Sequence, residues 1–452
     1  MNNFRPIDRD TGFLLPPSVD EWLPERHLAR FVVEVVAGLD LRSMTGSYRG
    51  SGEAPYHPEL LLGLIIYGYA SGVFSSRKLE RATYDSVAFR FIAANQHPDH
   101  DTIAVFRRRF LAQIAPLFAQ VLCVAREMGV LQLGTVALDG TKIHANACRH
   151  SALSYEHADR IEAQLQAEVA DLLAKAEAAD QADVPDGMSV PAELARREQR
   201  LAALARAKAT IEARAKERHA FERAEHEAKL KAREAKTAAT GKKPRGRPPA
   251  APVEGPLPTD QVNLTDQGSR IMPVAGGGFE QCYNAQAAVT AGLLVIAADV
   301  VQAPNDKQQL EPMLGKLADL PDELGTTDAL LADNGYFSES NVNACAAAGI
   351  APLIAMGREA HHPTLDERFA EAPEPPTDPT PLEAMQHRLK TPEGKKLYAL
   401  RKQMPEPVFG IIKSVLGFRQ FLLRGLDNVR GEWTLVTMAW NIKRMFVLAS
   451  AN

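Results

Sequence analysis

The pattern of hydrophobic and polar positions divides the chain into a helical N-terminal part and a later part in which strands and helices alternate. Up to residue 128, apolar residues recur every three or four positions, for example over residues 26–36 and 58–69, and the second of these segments begins with a proline. Asp101-Thr102 is a candidate cap for a helix over residues 103–110. The pattern therefore predicts a helical N-terminal domain over residues 1–128.

Strand-like runs begin at about residue 133. The first, 133–138, ends at Asp139-Gly140, and residues 281–290 and 293–300 are two β-rich runs joined by Ala291-Gly292, as in a hairpin. Two more strands are predicted at 329–332 and 351–356, between helices over 306–320 and 338–348, and helices follow from about residue 382. This order predicts an α/β fold with a ribonuclease-H-like mixed sheet flanked by helices.

A long charged segment separates the first predicted strand from the hairpin. Residues 150–260 are rich in Ala, Glu, Arg and Lys, which predicts long exposed helices inserted into the α/β domain of residues 129–452. Between Glu193 and Pro249 there are 17 Lys or Arg against 8 Asp or Glu. The excess of positive charge indicates a polyanionic partner, although a solvated helix face is the alternative.

Composition changes this picture little. The 452 residues are 45% hydrophobic and 24% charged, with a net charge of −4, as in ordinary globular proteins. No apolar run approaches the roughly 20 residues of a membrane span, and the first residues contain no apolar signal region. The four cysteines form no CxxC pair, which fits a reducing compartment. We therefore expect a cytoplasmic protein with no membrane partner.

Basic side chains on the predicted N-terminal helices indicate a DNA-binding function. Arg107 and Arg108 belong to a basic cluster on a short helix, and several such helices are compatible with a helix-turn-helix-like DNA-binding domain. An ordinary helical domain with a solvated basic face explains the same pattern.

Three acidic residues occupy positions where chemistry is expected. Asp139 and Asp333 follow two predicted strands, and Glu406 lies at the beginning of a late helix. The carboxyl ends of parallel strands meet at one edge of a sheet, and three carboxylates bind hard cations such as Mg²⁺ or Mn²⁺. Two such ions support in-line phosphoryl transfer. The alternative is that each acid is an ordinary turn or helix-cap residue.

Basic residues flank Glu406. Lys413 is seven residues further on, two turns along the same helix face, and Tyr398, Arg401 and Lys402 lie just upstream. These four side chains are candidates for contacts with a DNA phosphate.

Several motifs together resemble the DDE-type transposases of bacterial insertion sequences. They are Tyr56-His57-Pro58-Glu59, Asp139-Gly140-Thr141-Lys142, Tyr283-Asn284-Ala285-Gln286, Asn305-Asp306-Lys307, Asp333-Asn334-Gly335-Tyr336 and Glu406-Pro407-Val408-Phe409-Gly410. The resemblance implies a ribonuclease-H-like catalytic domain in which Asp139, Asp333 and Glu406 bind two divalent ions. One departure is that Arg401 is one residue too far from Glu406 and Lys402 occupies the position the family gives to arginine.

The resemblance also implies a function and a partner. The expected enzyme hydrolyses a phosphodiester at each transposon end and joins the freed 3′-OH to target DNA. Its partners are double-stranded DNA, both terminal inverted repeats and target, and we expect a homodimer when it is assembled on DNA. A metal-dependent nuclease without strand transfer and a non-catalytic DNA-binding derivative are the alternatives.

A short motif inside the insertion resembles an AT-hook. In Lys242-Lys243-Pro244-Arg245-Gly246-Arg247-Pro248, an extended Arg-Gly-Arg core fits the narrow minor groove of A·T-rich DNA. Arg245 and Arg247 are the candidate groove contacts. A basic Pro-rich linker that attracts phosphates without sequence preference is the other interpretation.

Overall fold

The fold was analysed in a computed structural model, which describes residues 18–48, 55–179, 190–241, 246–357, 374 and 376–450. The chain divides into two compact units. The first, the sheet unit, consists of Met1–Asn146 and Cys282–Asn452, and the second, the insertion unit, is Ala147–Gln281.

The N-terminal part of the sheet unit is helical, as the apolar periodicity predicts. Its helices are α1 (Val19–Trp22), α2 (Leu28–Ala37), α3 (Arg42–Thr45), α4 (Pro58–Ser71), α5 (Ser76–Asp85), α6 (Val87–Ile92), α7 (His100–Phe110) and α8 (Ile114–Glu127). Helix α4 begins with Pro58, and Gly72 ends it in the left-handed conformation that favours glycine. Helix α7 starts earlier than predicted, because Asp99 rather than Asp101 accepts the hydrogen bond from the Thr102 amide.

The mixed sheet that follows has six strands in the described part of the chain, β1 (Gly134–His144), β4 (Arg270–Pro273), β5 (Phe279–Thr290), β6 (Val295–Val301), β7 (Thr327–Ala332) and β8 (Ala351–Ile354). Strand β5 pairs with both β4 and β6, and the order continues β5–β1–β7–β8. Strands β1, β5 and β6 are antiparallel neighbours, whereas β7 is parallel to both β1 and β8. The predicted mixed α/β architecture is therefore present, and the strand order is consistent with a ribonuclease-H-like domain.

Helices alternate with the later strands and then continue to the end of the described chain. They are α11 (Leu310–Ala318), α12 (Glu339–Ala347), α13 (Pro381–Lys390), α14 (Pro392–Ala399), α15 (Pro405–Gly410) and α16 (Leu426–Ala449), with a π-helical turn over Ile411–Val415. Glu406 lies in the first turn of α15, as predicted.

The predicted end of β1 was wrong. The strand does not stop at Asp139-Gly140 but continues to His144, because Asp139 pairs with Ala287 and Gly140 with Gln286 of β5. An Asp-Gly pair is a local turn signal, and here the ladder hydrogen bonds of a distant strand override it.

Helix α16 is the centre of the hydrophobic core. It packs against α4, α8 and β6, and Trp433 is fully buried with its indole Nε1 donating to the Gln286 carbonyl at 3.0 Å. The stretch His100–Glu127 is long and apolar enough to cross a membrane by length and composition. Its helix α8 packs on α16, as a core helix does.

A buried polar cluster connects α16 with the N-terminal helices. Glu432 is fully buried, and its Oε1 accepts from the Tyr69 hydroxyl of α4 at 3.0 Å. Its Oε2 accepts from the Leu422 and Leu423 amides, both at 3.0 Å. Arg107 of α7 donates to the Tyr69 hydroxyl at 3.1 Å. We call Glu432, Tyr69 and Arg107 the Glu432 cluster.

The insertion unit contains the short strands β2 (Ala152–Ser154), β3 (Gln261–Asn263) and β4 (Arg270–Pro273) and the long helices α9 (Tyr155–Ala179) and α10 (Val190–Thr240). The two helices form an antiparallel pair around a small apolar core that includes Leu165, Leu204 and Ile211. Lys208 of α10 pairs with Asp159 of α9 at 2.7 Å. Part of the positive charge of this segment is therefore neutralised within the unit.

Candidate active site

The pairing of β1 with β7 brings Asp139 and Asp333 together. Ala137 lies opposite Leu331 in the parallel ladder. Asp139 is two residues further along β1, and Asp333 is the first residue after β7, so this register brings both to the same edge of the sheet, where the charge of Asp333 acts on Asp139. Asp139 Oδ1 accepts a hydrogen bond from the Gly140 amide, and Asp333 Oδ1 accepts one from the Gly335 amide, both at 2.8 Å. These bonds fix the orientation of the two carboxylates.

The electrostatics of Asp139 reflect this crowding. The pKa of the Asp139 carboxyl is raised to about 7, mainly by burial and in addition by the negative charges of Asp333 and Asp306. The hydrogen bond from Gly140 and the positive charge of Arg401 act in the opposite direction. A buried carboxyl beside two other acids takes up a proton more readily than a free aspartate, and a nearby cation would favour its charged form.

Glu406 is connected to the site by an ion pair with Arg401. Helix α15 packs against β1, and Arg401 Nη2 lies 3.7 Å from Glu406 Oε1. The Arg401 side chain is only 13% exposed, whereas that of Glu406 is 51% exposed. Arg401 Nε is buried and has no hydrogen-bond partner among the residues the structure describes. Because the same guanidinium also acts on Asp139, Arg401 lies between the two acids.

The other residues predicted near Glu406 differ in their surroundings. Lys402 is exposed, although its sequence position matches the family's arginine. The half-buried Tyr398 has its hydroxyl 3.4 Å from the Ala332 carbonyl, at the end of β7.

Lys413 is anchored to β1. Its Nζ donates to the Lys142 carbonyl at 2.7 Å and to the Thr141 hydroxyl. Burial lowers the pKa of the Lys413 ammonium, and the charge of Asp139 partly opposes this effect. The predicted phosphate-binding lysine therefore lies within electrostatic reach of Asp139, with two of its three donors already used by the strand.

Sequence reasoning missed the position of Asp306. Its Oδ1 accepts from Asn284 Nδ2 at 2.6 Å and from Gln286 Nε2 at 2.7 Å. The motif Asn305-Asp306-Lys307 contributed to the family resemblance, but no role followed from it. A signal was present in β5, where Asn284 and Gln286 are polar residues spaced by two within the largely apolar run from Cys282 to Val289. Such side chains are buried only with partners.

The donor chemistry at Asp139 and Asp333 suits a divalent cation. Two neighbouring carboxylates, one of them buried, are ligands that Mg²⁺ and Mn²⁺ prefer. Among the described residues, however, no three His, Cys, Asp or Glu side chains are arranged to hold a metal ion. The two aspartates thus fit one part of the expected ligand set, while Glu406 is paired with Arg401.

The other predicted DNA contacts, Arg107, Arg108 and Arg247, differ in how far they are exposed to solvent. Arg107 is half-buried and donates to Tyr69 and to the Phe74 carbonyl at 3.3 Å, so much of its guanidinium is used inside the fold. Arg108 is exposed on the same helix. Arg247 is exposed in the segment that follows α10, and Arg245 lies outside the described residues.

Comparisons with known proteins match two segments of the chain to transposase domains. A model described as transposase domain (DUF772) matches residues 17–109. A model described as transposase DDE domain matches residues 377–446, which include Glu406 and Lys413. Both matches support a DDE-type transposase of an insertion sequence. The two matched ranges lie before and after the strands that carry Asp139 and Asp333. No curated protein and no solved structure matches the chain.

Proposed function

We propose that this transposase cleaves DNA at the ends of its transposon and transfers the freed 3′ strand into target DNA, with divalent ions held by Asp139, Asp333 and Glu406. The observation that supports this most strongly is the parallel register of β1 and β7, which makes Asp139 and Asp333 neighbours. The transposase matches on both sides of the sheet support DNA as the substrate.

The proposal assigns roles to the parts of the chain. Residues 129–452 form a ribonuclease-H-like catalytic domain, which agrees with the strand order β6–β5–β1–β7–β8. Residues 1–128 form a DNA-binding domain, and residues 150–260 are an insertion whose exposed basic linker attracts DNA. The enzyme acts in the bacterial cytoplasm on double-stranded inverted repeats and target DNA, as a homodimer assembled on the DNA.

Two Mg²⁺ or Mn²⁺ ions, when bound, would activate the attacking hydroxyl and neutralise charge on the leaving oxygen. The protein itself positions the phosphate. Arg401, whose guanidinium acts on both Asp139 and Glu406, is the candidate to bind a phosphate oxygen. Lys413 adds positive charge from its anchored position on β1. Asp139 must give up its proton before it binds a cation, and its pKa of about 7 permits this near neutral pH.

The central test is a cleavage and joining assay with the full chain and DNA carrying the inverted repeats that flank its coding region. Asp139→Asn, Asp333→Asn and Glu406→Gln should each lose at least about 100-fold in cleavage with Mg²⁺ or Mn²⁺, because each removes a ligand charge. Binding to the same DNA should change little, because affinity comes mainly from Lys and Arg contacts to phosphates.

The matched controls are exposed acids of the same domain, Asp319→Asn and Glu393→Gln, which should cleave at the wild-type rate. Near-wild-type cleavage by any of the three site variants would remove that residue from the site. Cleavage without any joined product would favour a nuclease, and DNA binding without metal-dependent cleavage would favour a non-catalytic DNA-binding protein.

A second test separates the two candidate phosphate contacts. Arg401→Gln should slow cleavage by at least about tenfold, because it removes the buried donor beside Asp139 and Glu406. Lys402→Gln should have a small effect, because this side chain is exposed. The reverse order of the two effects would assign the contact to Lys402.

A further inference from the structure

A polar cluster centred on Asp306 lies close enough to Asp139 for the charge of Asp306 to act on it. Asn284 and Gln286 are two residues apart on β5, so their side chains project from the same face of the sheet. Both side chains are fully buried, and both donate to the same oxygen of Asp306. One carboxylate oxygen therefore accepts hydrogen bonds from two buried amides and holds them in place.

The cluster extends to Tyr336, which follows Asp333 by three residues. The Tyr336 hydroxyl is buried and donates to Gln286 Oε1. The charges of Asp306, Asp139 and Asp333 all act on this hydroxyl, which shows that it faces the acidic group. Asp306 thus connects through Gln286 to the turn that carries Asp333.

The approach of Asp306 to β1 is unusually close. A Cβ atom added to Gly140 would lie 2.6 Å from Asp306 Oδ1 and 2.9 Å from Asn284 Oδ1. Only a glycine leaves room for the cluster at this point, one residue after Asp139. On the other side, a Cβ atom at Gly335 would lie 3.8 Å from Asp306 Oδ2. Asp306 therefore lies between the backbone segments that orient both aspartates.

One buried acceptor near this point is left open. Asn284 Oδ1 has no hydrogen-bond partner among the described residues, although Asn284 Nδ2 donates to Asp306 and to the Ala303 carbonyl. A fully buried polar atom without a partner is uncommon in a part of a protein that serves only for stability.

We propose that Asp306 is a positioning residue of the active site: it holds Asn284 and Gln286 against Gly140, and thereby fixes the orientation of Asp139 and of the Asp333–Tyr336 turn. This inference rests on the proposed function only for its effect on cleavage. Asp306 acts through Oδ1 as an acceptor for two amides. An asparagine at this position retains such an acceptor, whereas an alanine does not.

The test compares Asp306→Ala, Asp306→Asn and the exposed control Asp319→Asn in the full chain. Asp306→Ala should slow cleavage at least about tenfold and leave DNA affinity unchanged, because misplacement of the catalytic carboxylates lowers the rate of the chemical step rather than the affinity for DNA. Asp306→Asn should recover most of that loss. Wild-type cleavage by Asp306→Ala would overturn the proposal. So would an Asn variant as slow as the Ala variant, because the charge rather than the acceptor would then be what matters.

A measurement that does not depend on catalytic activity tests the role of Asp306 separately from the proposed function. In amide NMR spectra of metal-free protein, Asp306→Ala should shift the Gly140 and Gly335 signals, while Asp306→Asn shifts them less and Asp319→Asn leaves them in place. Unchanged Gly140 and Gly335 signals in the Ala variant would refute the positioning role. A wild-type protein that binds DNA but never cleaves it would refute the proposed function, and the NMR result would still decide the role of Asp306.

Discussion

Removal of the Glu432 carboxylate should destabilise the sheet unit strongly. In Glu432→Ala, the Tyr69 hydroxyl and the Leu422 and Leu423 amides all lose their acceptor inside the core. Each buried donor left unpaired costs about 1–3 kcal/mol, and the half-buried Arg107 also loses the attraction of the Glu432 charge. Because these effects overlap, we expect a total loss of about 3–5 kcal/mol.

Variants that remove fewer hydrogen bonds should lose less of the free energy of unfolding. Tyr69→Phe removes two hydrogen bonds, the one donated to Glu432 and the one accepted from Arg107, and should lose about 1–2 kcal/mol. Glu432→Gln retains one acceptor oxygen for three donors, so its loss should fall between those of Tyr69→Phe and Glu432→Ala. Asp427→Ala is the control on the same helix. The side chain of Asp427 is 98% exposed, and its removal should cost less than about 1 kcal/mol.

Guanidinium unfolding, followed by tryptophan fluorescence, measures these differences. Trp433 is adjacent to Glu432 and fully buried, so it reports on the same part of the fold. The denaturant concentration at the midpoint should be lowest for Glu432→Ala, higher for Glu432→Gln, higher again for Tyr69→Phe and highest for Asp427→Ala. The slope of the unfolding free energy against denaturant concentration should not change. A loss below about 1 kcal/mol for Glu432→Ala would refute the reasoning, because it would mean that the three donors find other acceptors or water.

Three further predictions concern charge. Burial holds the pKa of Asp139 at about 7, so between about pH 4 and 7 the folded state binds more protons than the unfolded state and stability falls as the pH rises. Without metal, Asp139→Asn should therefore stabilise the protein by a few kcal/mol at about pH 8 and by little at about pH 4, as measured by denaturation in EDTA. In salt-dependent DNA-binding assays, Arg108→Ala should weaken affinity with a shallower salt slope, whereas Arg107→Met should mainly lower the unfolding midpoint. Replacing Arg245 and Arg247 with alanine should weaken binding more on A·T-rich than on G·C-rich duplexes, and an equal loss on both would leave only a basic linker.

The sequence was sufficient for the order of the elements and for part of the site. Asp333 follows β7, and Glu406 begins α15, as local patterns indicate. The parallel pairing of β1 with β7, which makes Asp139 and Asp333 neighbours, follows from the general rules for alternating strands and helices. These features depend on short stretches of chain, and their local signals agree with the fold.

Features that depend on distant partners were not predictable in the same way. Arg107 belongs to a basic run that looks like a DNA contact, but it donates to Tyr69, whose own acceptor Glu432 lies 363 residues further along the chain. The continuation of β1 through Asp139-Gly140 likewise depends on β5. The central position of Asp306 depends on two amides that precede it by about 20 residues.

The way in which the insertion joins the sheet has an evolutionary consequence. His144 of β1 lies opposite Cys282 of β5, so Ala147–Gln281 takes the place of the connecting loop of a β-hairpin. The entropy cost of closing such a loop grows only with the logarithm of its length. A stretch of coding DNA gained or lost at this junction would leave the pairing of β1, β5, β6, β7 and β8 unchanged. This hairpin is therefore a place where a mobile element can acquire, exchange or discard a module in a single genetic event while these five strands are inherited intact.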